Sequence, residues 1–148
     1  MAKDHFSGVT EQGKASIHRL DDAKSLIQKK RWRGAMYLAG YAVECLLKKQ
    51  LMLKNSCHTL RELEEVLKTK RQLASSSSVF THQIEPLFKL AGGLDRLRQN
   101  EKAWPHFNRV NEWMPAWRYA ATYTTREEAE DFIESVESLV RWIAANVG

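Results

Sequence analysis

From Ala35 to Leu53, apolar side chains recur around so much of a helical circumference that this segment belongs at the centre of a helix bundle. Ala35, Leu38, Ala39, Ala42 and Leu46 form one stripe at helical spacing, and Met36, Val43 and Leu47 form a second. The segment is not a membrane span, because Glu44, Lys48 and Lys49 interrupt it and a span needs about 20 mostly apolar residues. Gly34 and Gly40 either weaken the helix slightly or let another element approach it closely.

Partners for this helix are legible on both sides of it. Ile17, Leu20, Ala23 or Lys24, and Ile27 give a first helix from about Glu11 to Lys30, followed by a basic turn at Arg31 to Arg33. Thr59 with Glu62 has the form of a capping box, opening a third helix with Leu60, Leu63, Val66 and Leu67 on its apolar face. Ser75 to Ser78 reads as a loop. Phe80, Ile84, Leu87, Phe88 and Ala91 predict a short fourth helix, with Pro86 in its first turn and Gly92-Gly93 as its stop. Thr125 with Glu128 is a second capping box, leading into Ala129, Phe132, Ile133, Val136, Val140 and Ile143. No stretch alternates apolar with polar residues as a strand does, so the expected fold class is an all-α antiparallel helical bundle.

One core suffices for 148 residues that are 43% hydrophobic, so a single domain over residues 1–148 is expected, with an irregular aromatic-rich segment at about 92–123. Its path is not drawn by periodicity. Lys and Arg number 23 against 18 Asp and Glu, a net charge of +5 that favours anionic partners. Cys45 and Cys57 are the only cysteines, too few for a disulfide framework or a four-cysteine zinc site. Met1 to Gly13 hold no apolar run of the secretory kind, so a cytoplasmic location is expected, with no membrane partner. Neither a metal site nor a cofactor is expected. Paired Glu-x-x-His motifs, a phosphate-cradling glycine loop and a nucleophile elbow are all missing from the sequence.

Three segments taken together carry a family resemblance. Gly34 to Lys48 contains Ala42-Val43-Glu44-Cys45-Leu46-Leu47-Lys48, similar to the Ala-x-Glu-x-x-Leu-Lys core of the long second helix of HEPN domains. His58-Thr59-Leu60 is similar to that family's His-x-Leu, and Arg118-Tyr119, followed by Thr124, Glu128 and Ala129, to its C-terminal pattern. The chain thus resembles the HEPN family, helical nucleotide- and RNA-associated domains of prokaryotic toxin and defence systems. The resemblance implies a four- to five-helix bundle that pairs as a homodimer, a nucleotide or RNA ligand, and a small nucleotidyltransferase as partner. Many members are ribonucleases with an Arg followed, after four to six residues, by a His. No Arg here has that His. Arg98 and His106 are separated by seven residues, and Tyr123 stands where the His after Arg118 would fall. A phenol titrating near pH 10 is poorly matched to proton transfer at neutral pH.

The residues leave several roles open. Tyr37, Tyr41, Glu44 and Lys48 fall at i, i+4, i+7 and i+11, one polar face of an otherwise apolar helix. That face is a cleft wall with rings for base stacking and Lys48 for phosphate, a dimer seam, or a partly solvated edge where Glu44 and Lys48 form a pair worth about 0.3 kcal/mol. His58 could meet a phosphate, move protons, or simply help cap the third helix. Arg118, near Trp113, Trp117 and Tyr119, either holds a phosphate or pins its loop by a cation-π contact. The ligand-binding candidates are therefore Tyr37, Tyr41, Glu44, Lys48, His58, Arg118 and Tyr119. For catalysis they are Arg118, Tyr123 and His58. The leading expectation is nucleotide or RNA binding in a toxin–antitoxin or defence setting without the standard ribonuclease motif. An atypical metal-independent endoribonuclease toxin and a protein-assembly module are the alternatives.

Overall fold

The computed structural model describes residues 8–119 and 124–147. Three long helices form the frame: α1 (Val9–Gln28), α2 (Trp32–Lys54) and α7 (Arg126–Asn146). Between them lie α3 (Leu60–Thr69), α4 (Ile84–Ala91), α5 (Leu94–Arg98), α6 (Ala103–Val110) and a 3-10 turn at Pro115–Tyr119. The fold is all-α, and among the described residues the only β feature is an isolated bridge between Gly8 and Thr59. All five helices expected from the periodicity are present. α5 and α6 are additional, and both lie in the segment whose path the periodicity leaves undrawn. α5, at five residues, is too short to repeat an apolar pattern recognisably, and both rest on neighbours that only the folded chain supplies.

α2 is the centre, packing on α1, α3, α4, the 3-10 turn and α7. Ala35, Ala39, Ala42, Val43, Leu47, Leu51 and Met52 are wholly enclosed. The helix begins at Trp32, so Trp32 and Arg33 belong to its first turn and not to a basic linker. The first-helix face is the expected one at Leu20, Ala23 and Ile27, which pack on the core, but Ile17 is 65% exposed and Ser16 is enclosed in its place. Ser16 is admitted because its hydroxyl donates to the Ala42 carbonyl at 2.7 Å, which satisfies the buried oxygen. Phe80 likewise stands outside α4 and is 55% exposed.

Helix starts follow the sequence closely. The Thr59 and Thr125 hydroxyls each accept the amide N–H three residues on, from Glu62 and Glu128, both at 3.1 Å. Glu62 also turns back to accept from the His58 amide at 3.0 Å. Helix ends are less obvious. α1 closes with Lys30 N–H donating to Ile27 and Arg31 N–H to Leu26, the paired bonds of a Schellman motif. α2 repeats it through Ser56 and Cys57, α3 through Arg71 and Gln72, and α4 through Gly92 and Gly93. The left-handed residue is glycine only at Gly92; Lys30, Ser56 and Arg71 hold φ near 60° at the others. A side chain there is strained by roughly 1–2 kcal/mol.

The long connection from α3 to α4 is anchored rather than loose. Val79 is fully enclosed, and the Glu64 carboxylate accepts the Ser78 hydroxyl and, at 3.0 Å, the Val79 amide. These donors, the Ser78 hydroxyl foremost, hold Glu64 below the usual carboxylate range, and Lys68 at 3.8 Å adds to the effect.

Two expectations follow. Arg71→Gly, at an exposed turn, should raise the urea midpoint by the equivalent of about 0.5–1 kcal/mol by relieving the left-handed strain. The lowered pKa of Glu64 means that its contribution is complete above the ordinary carboxylate value and is lost as pH falls through the lower folded value. The stability gap between the wild type and Glu64→Gln should accordingly be constant above about pH 5 and shrink below it, as read by urea unfolding at stepped pH.

Candidate functional site

The polar face of α2 is partly exposed at Tyr37 and Tyr41 and sealed at its ionic end. Glu44 and Lys48 are only 4% and 5% exposed, so the expected pair forms, but inside the fold and not at a solvated edge. Taking a carboxylate out of water costs several kcal/mol unless its oxygens are paired. Both are. Lys48 Nζ lies 3.1 Å from Oε2 of Glu44, and Nδ1 of His82 lies 2.7 Å from Oε1. The second partner comes from the connection that Glu64 anchors, 38 residues away in the chain.

His82 is the residue through which this buried pair reaches the surface, since its side chain is 53% exposed. With Nδ1 committed to Glu44, Nε2 is the ring nitrogen left for an incoming group. Around the imidazole stand rings in edge-to-face contact. Tyr41 lies 5.9 Å from His82 and 4.8 Å from Trp113, and Trp113 lies 6.5 Å from His82. Tyr37 completes the group, with its ring 5.2 Å from Tyr41 and the two hydroxyls 3.3 Å apart.

Trp113 fixes the geometry of this corner. Its indole N–H donates to the Tyr37 carbonyl at 2.9 Å, and its five-membered ring lies flush on Gly40. A Cβ at position 40 would sit 2.2 Å from the ring, so Gly40 admits the indole and is not a weak point of the helix. The wall is therefore shared by α2, the connection ending at His82, and the stretch leaving α6.

The other candidates are placed elsewhere or only in part. His58 is exposed at the start of α3, where its backbone takes part in the cap and its carbonyl accepts from Val9 at 3.3 Å. No hydrogen bond or ring contact of the described residues joins it to His82 or Glu44. Trp117 is pinned between Phe132, at 5.3 Å, and the Arg33 guanidinium, at 5.1 Å. The cation over that indole is thus Arg33 from α2. Tyr119 is 73% exposed. The Arg118 side chain and Tyr123 lie outside the described residues. Arg98 and His106 are not partners, because Arg98 lies over Trp104 while His106 Nδ1 meets the Ser135 hydroxyl at 2.9 Å. Arg109 donates to the same hydroxyl at 2.8 Å, which ties α6 to α7.

Neither His82 nor the contact of Trp113 with Tyr41 follows from any spacing in the sequence, because Glu44 already has Lys48 as a local partner and His82 lies 38 residues away. Cys45 offers no nucleophile, since burial, reinforced by Glu44, pushes its thiol up to about 11. Among the described residues no group of three or more His, Cys, Asp or Glu could hold a metal ion, and no helix is long and apolar enough to cross a membrane.

Comparison with known families matches the chain to the HEPN domain over residues 14–147. No curated protein and no solved structure gives a match.

The energetics of the buried pair can be separated from those of packing. Glu44→Leu alone should lower stability by about 3 kcal/mol or more, because it strands the Lys48 ammonium in the core. Glu44→Leu with Lys48→Met should recover most of that loss in urea unfolding, as both buried charges are then gone.

Proposed function

The chain belongs to the HEPN domain family, and from that premise we propose that it binds a nucleotide or RNA at the corner formed by Tyr37, Tyr41, His82 and Trp113. The observation that carries the reading is His82 held by a buried carboxylate among aromatic rings. Bases stack on aromatic faces whatever their identity, and with Nδ1–H given to Glu44 the imidazolium form of His82 offers Nε2–H to a phosphate oxygen. Glu44 and Lys48 are the support of this surface and not its contact points. Lys48 is spent on Glu44, so charge for the phosphates comes from elsewhere. Arg118 in the 3-10 turn is the proposed source of it, with the Tyr119 hydroxyl as a further donor, and the +5 net charge is consistent with an anionic ligand. In keeping with the family, the setting is a cytoplasmic toxin–antitoxin or defence system, with a homodimer and a small nucleotidyltransferase partner.

The second reading, an endoribonuclease, is favoured by the same dyad. The standard Arg and His spacing is missing, yet His82 on Glu44 supplies an oriented imidazole able to move a proton. In that reading Nε2 of His82 takes the proton of a ribose 2′-hydroxyl as it attacks the adjacent phosphorus. The 5′-oxygen leaves with a proton from solvent, and a 2′,3′-cyclic phosphate forms. The assembly-module reading has no such specific observation in its favour.

One experiment addresses both. Purified protein is mixed with a fluorescent oligoribonucleotide in EDTA, and anisotropy and product length are followed together. Binding without cleavage, weakened about tenfold or more by Tyr37→Ala and by His82→Ala, is the expected result. Cleavage abolished by His82→Ala makes the enzyme reading the correct one. Retention that neither substitution alters overturns the site.

A further inference from the structure

The connection that delivers His82 to Glu44 has a second side. His82 reaches α2, whereas Phe80 and Thr81 line an open cavity of about 820 Å³ between this connection, α4 and the end of α2. That volume is within the usual range for a small-molecule site, roughly 300–1,000 Å³. Its lining differs from that of the neighbouring hollows in charge. Lys54 and Lys89 both line it, and among the described residues that do so there is no carboxylate. The cavity of about 840 Å³ on the other side of α4 mixes Glu85, Asp95 and Glu112 with Lys89 and Arg98. A smaller groove between α1 and α7 carries Glu130, Glu134 and Glu137. Only the first is uniformly cationic among these three.

Its polar groups are also arranged to donate. Lys54 Nζ gives one hydrogen to the Ala91 carbonyl at 3.0 Å, which fixes the ammonium at the end of α4 with two N–H groups to spare. Thr81 Oγ1 accepts the Gln83 amide at 3.1 Å, which leaves its hydroxyl hydrogen for a further acceptor. Ser77 adds a hydroxyl to the same lining. Beside these donors stands an apolar surface that folding leaves uncovered. The Phe80 amide is tied to the Ser78 hydroxyl at 3.0 Å, and Ser78 is itself held by Glu64, so the backbone carrying the exposed ring is anchored. Two cations, spare hydroxyl donors and a presented aromatic ring form a complementary surface for an anion joined to a flat ring.

We infer that this cavity binds a terminal phosphate joined to an aromatic base, with the phosphate at Lys54 and Lys89 and the base against Phe80. The shared chemistry belongs either to a free nucleotide or to the 5′-phosphorylated end of an RNA. The site is separate from the His82 corner and does not depend on the reading given for it. The two share only the connection from Val79 to Gln83, whose opposite sides they use.

The test is an amide NMR titration of the full chain with AMP, adenosine and inorganic phosphate. AMP should shift Ser77, Phe80, Thr81 and Lys89, and bind at least about tenfold more tightly than adenosine or phosphate. Phe80→Ala and Lys89→Glu, both at exposed positions and checked for unchanged thermal melting, should each weaken AMP about tenfold or more. A 5′-phosphorylated tetraribonucleotide that outcompetes AMP assigns the site to RNA ends, and one that does not assigns it to free nucleotides. The inference is overturned if AMP shifts only Tyr37, Tyr41 and His82, if phosphate alone binds as well as AMP, or if both variants bind AMP like the wild type. Failure of the His82 corner would instead appear as unchanged RNA retention in Tyr37→Ala and His82→Ala, so the two failures are distinguishable.

Discussion

A carboxylate inside the central helix sets the terms for much of this fold. Glu44 is almost fully enclosed, and an enclosed carboxylate persists only where both oxygens find donors. One donor is local, Lys48 one helical turn on. The other comes from outside the helix, where the α3 to α4 connection brings His82 within reach. The two anchors of this connection, Glu64 on Ser78 and Val79 and Glu44 on His82, are thus carboxylates on different helices gripping one strap. The strap owes its defined path to polar satisfaction as much as to the burial of Leu73 and Val79.

The aromatic segment before α7 fills the space that remains. Trp113 and Trp117 are large apolar bodies with one polar handle or one cationic neighbour each, and both are turned toward α2. Trp113 can lie flush only because position 40 lacks a Cβ, and its N–H takes a carbonyl whose helical partner lies four residues on, at Tyr41. The cost of glycine within a helix, about 1 kcal/mol, is offset here by indole burial and a hydrogen bond. α6 is then stapled to α7 through Ser135, a fully enclosed hydroxyl serving both His106 and Arg109.

What was legible in the sequence divides along a physical line. Periodicity and capping are local, so the α2 stripes, Thr59 with Glu62 and Thr125 with Glu128 marked their elements correctly. Helix ends were harder, because Lys30, Ser56 and Arg71 occupy left-handed positions that glycine usually signals. Ile17 misled because side-chain hydrophobicity says nothing of Ser16 finding the Ala42 carbonyl. His82 was invisible for a related reason: its partner lies 38 residues away, and no fixed spacing connects a loop histidine to a helix carboxylate. The Tyr37, Tyr41, Glu44 and Lys48 face was readable as one surface. Its division into an open aromatic end and a sealed ionic end was not, since burial depends on which segments fold over it.

That division bears on how such a site can work. An imidazole on a flexible loop would lose orientation each time the loop moved, whereas one anchored to a buried carboxylate is preorganised. The low-polarity surroundings that make Glu44 costly to bury also strengthen its hold on Nδ1 of His82, and so determine which nitrogen is presented outward. The same strap carries Phe80 on its other side. A ligand seated there would press on a segment whose far side is bonded to Glu44, and the two surfaces would be coupled through a few bonded residues and not through the whole bundle. Helix α2 supplies the rigid reference for both, which is why a charge pair in its interior, costly for stability alone, is consistent with a functional surface above it.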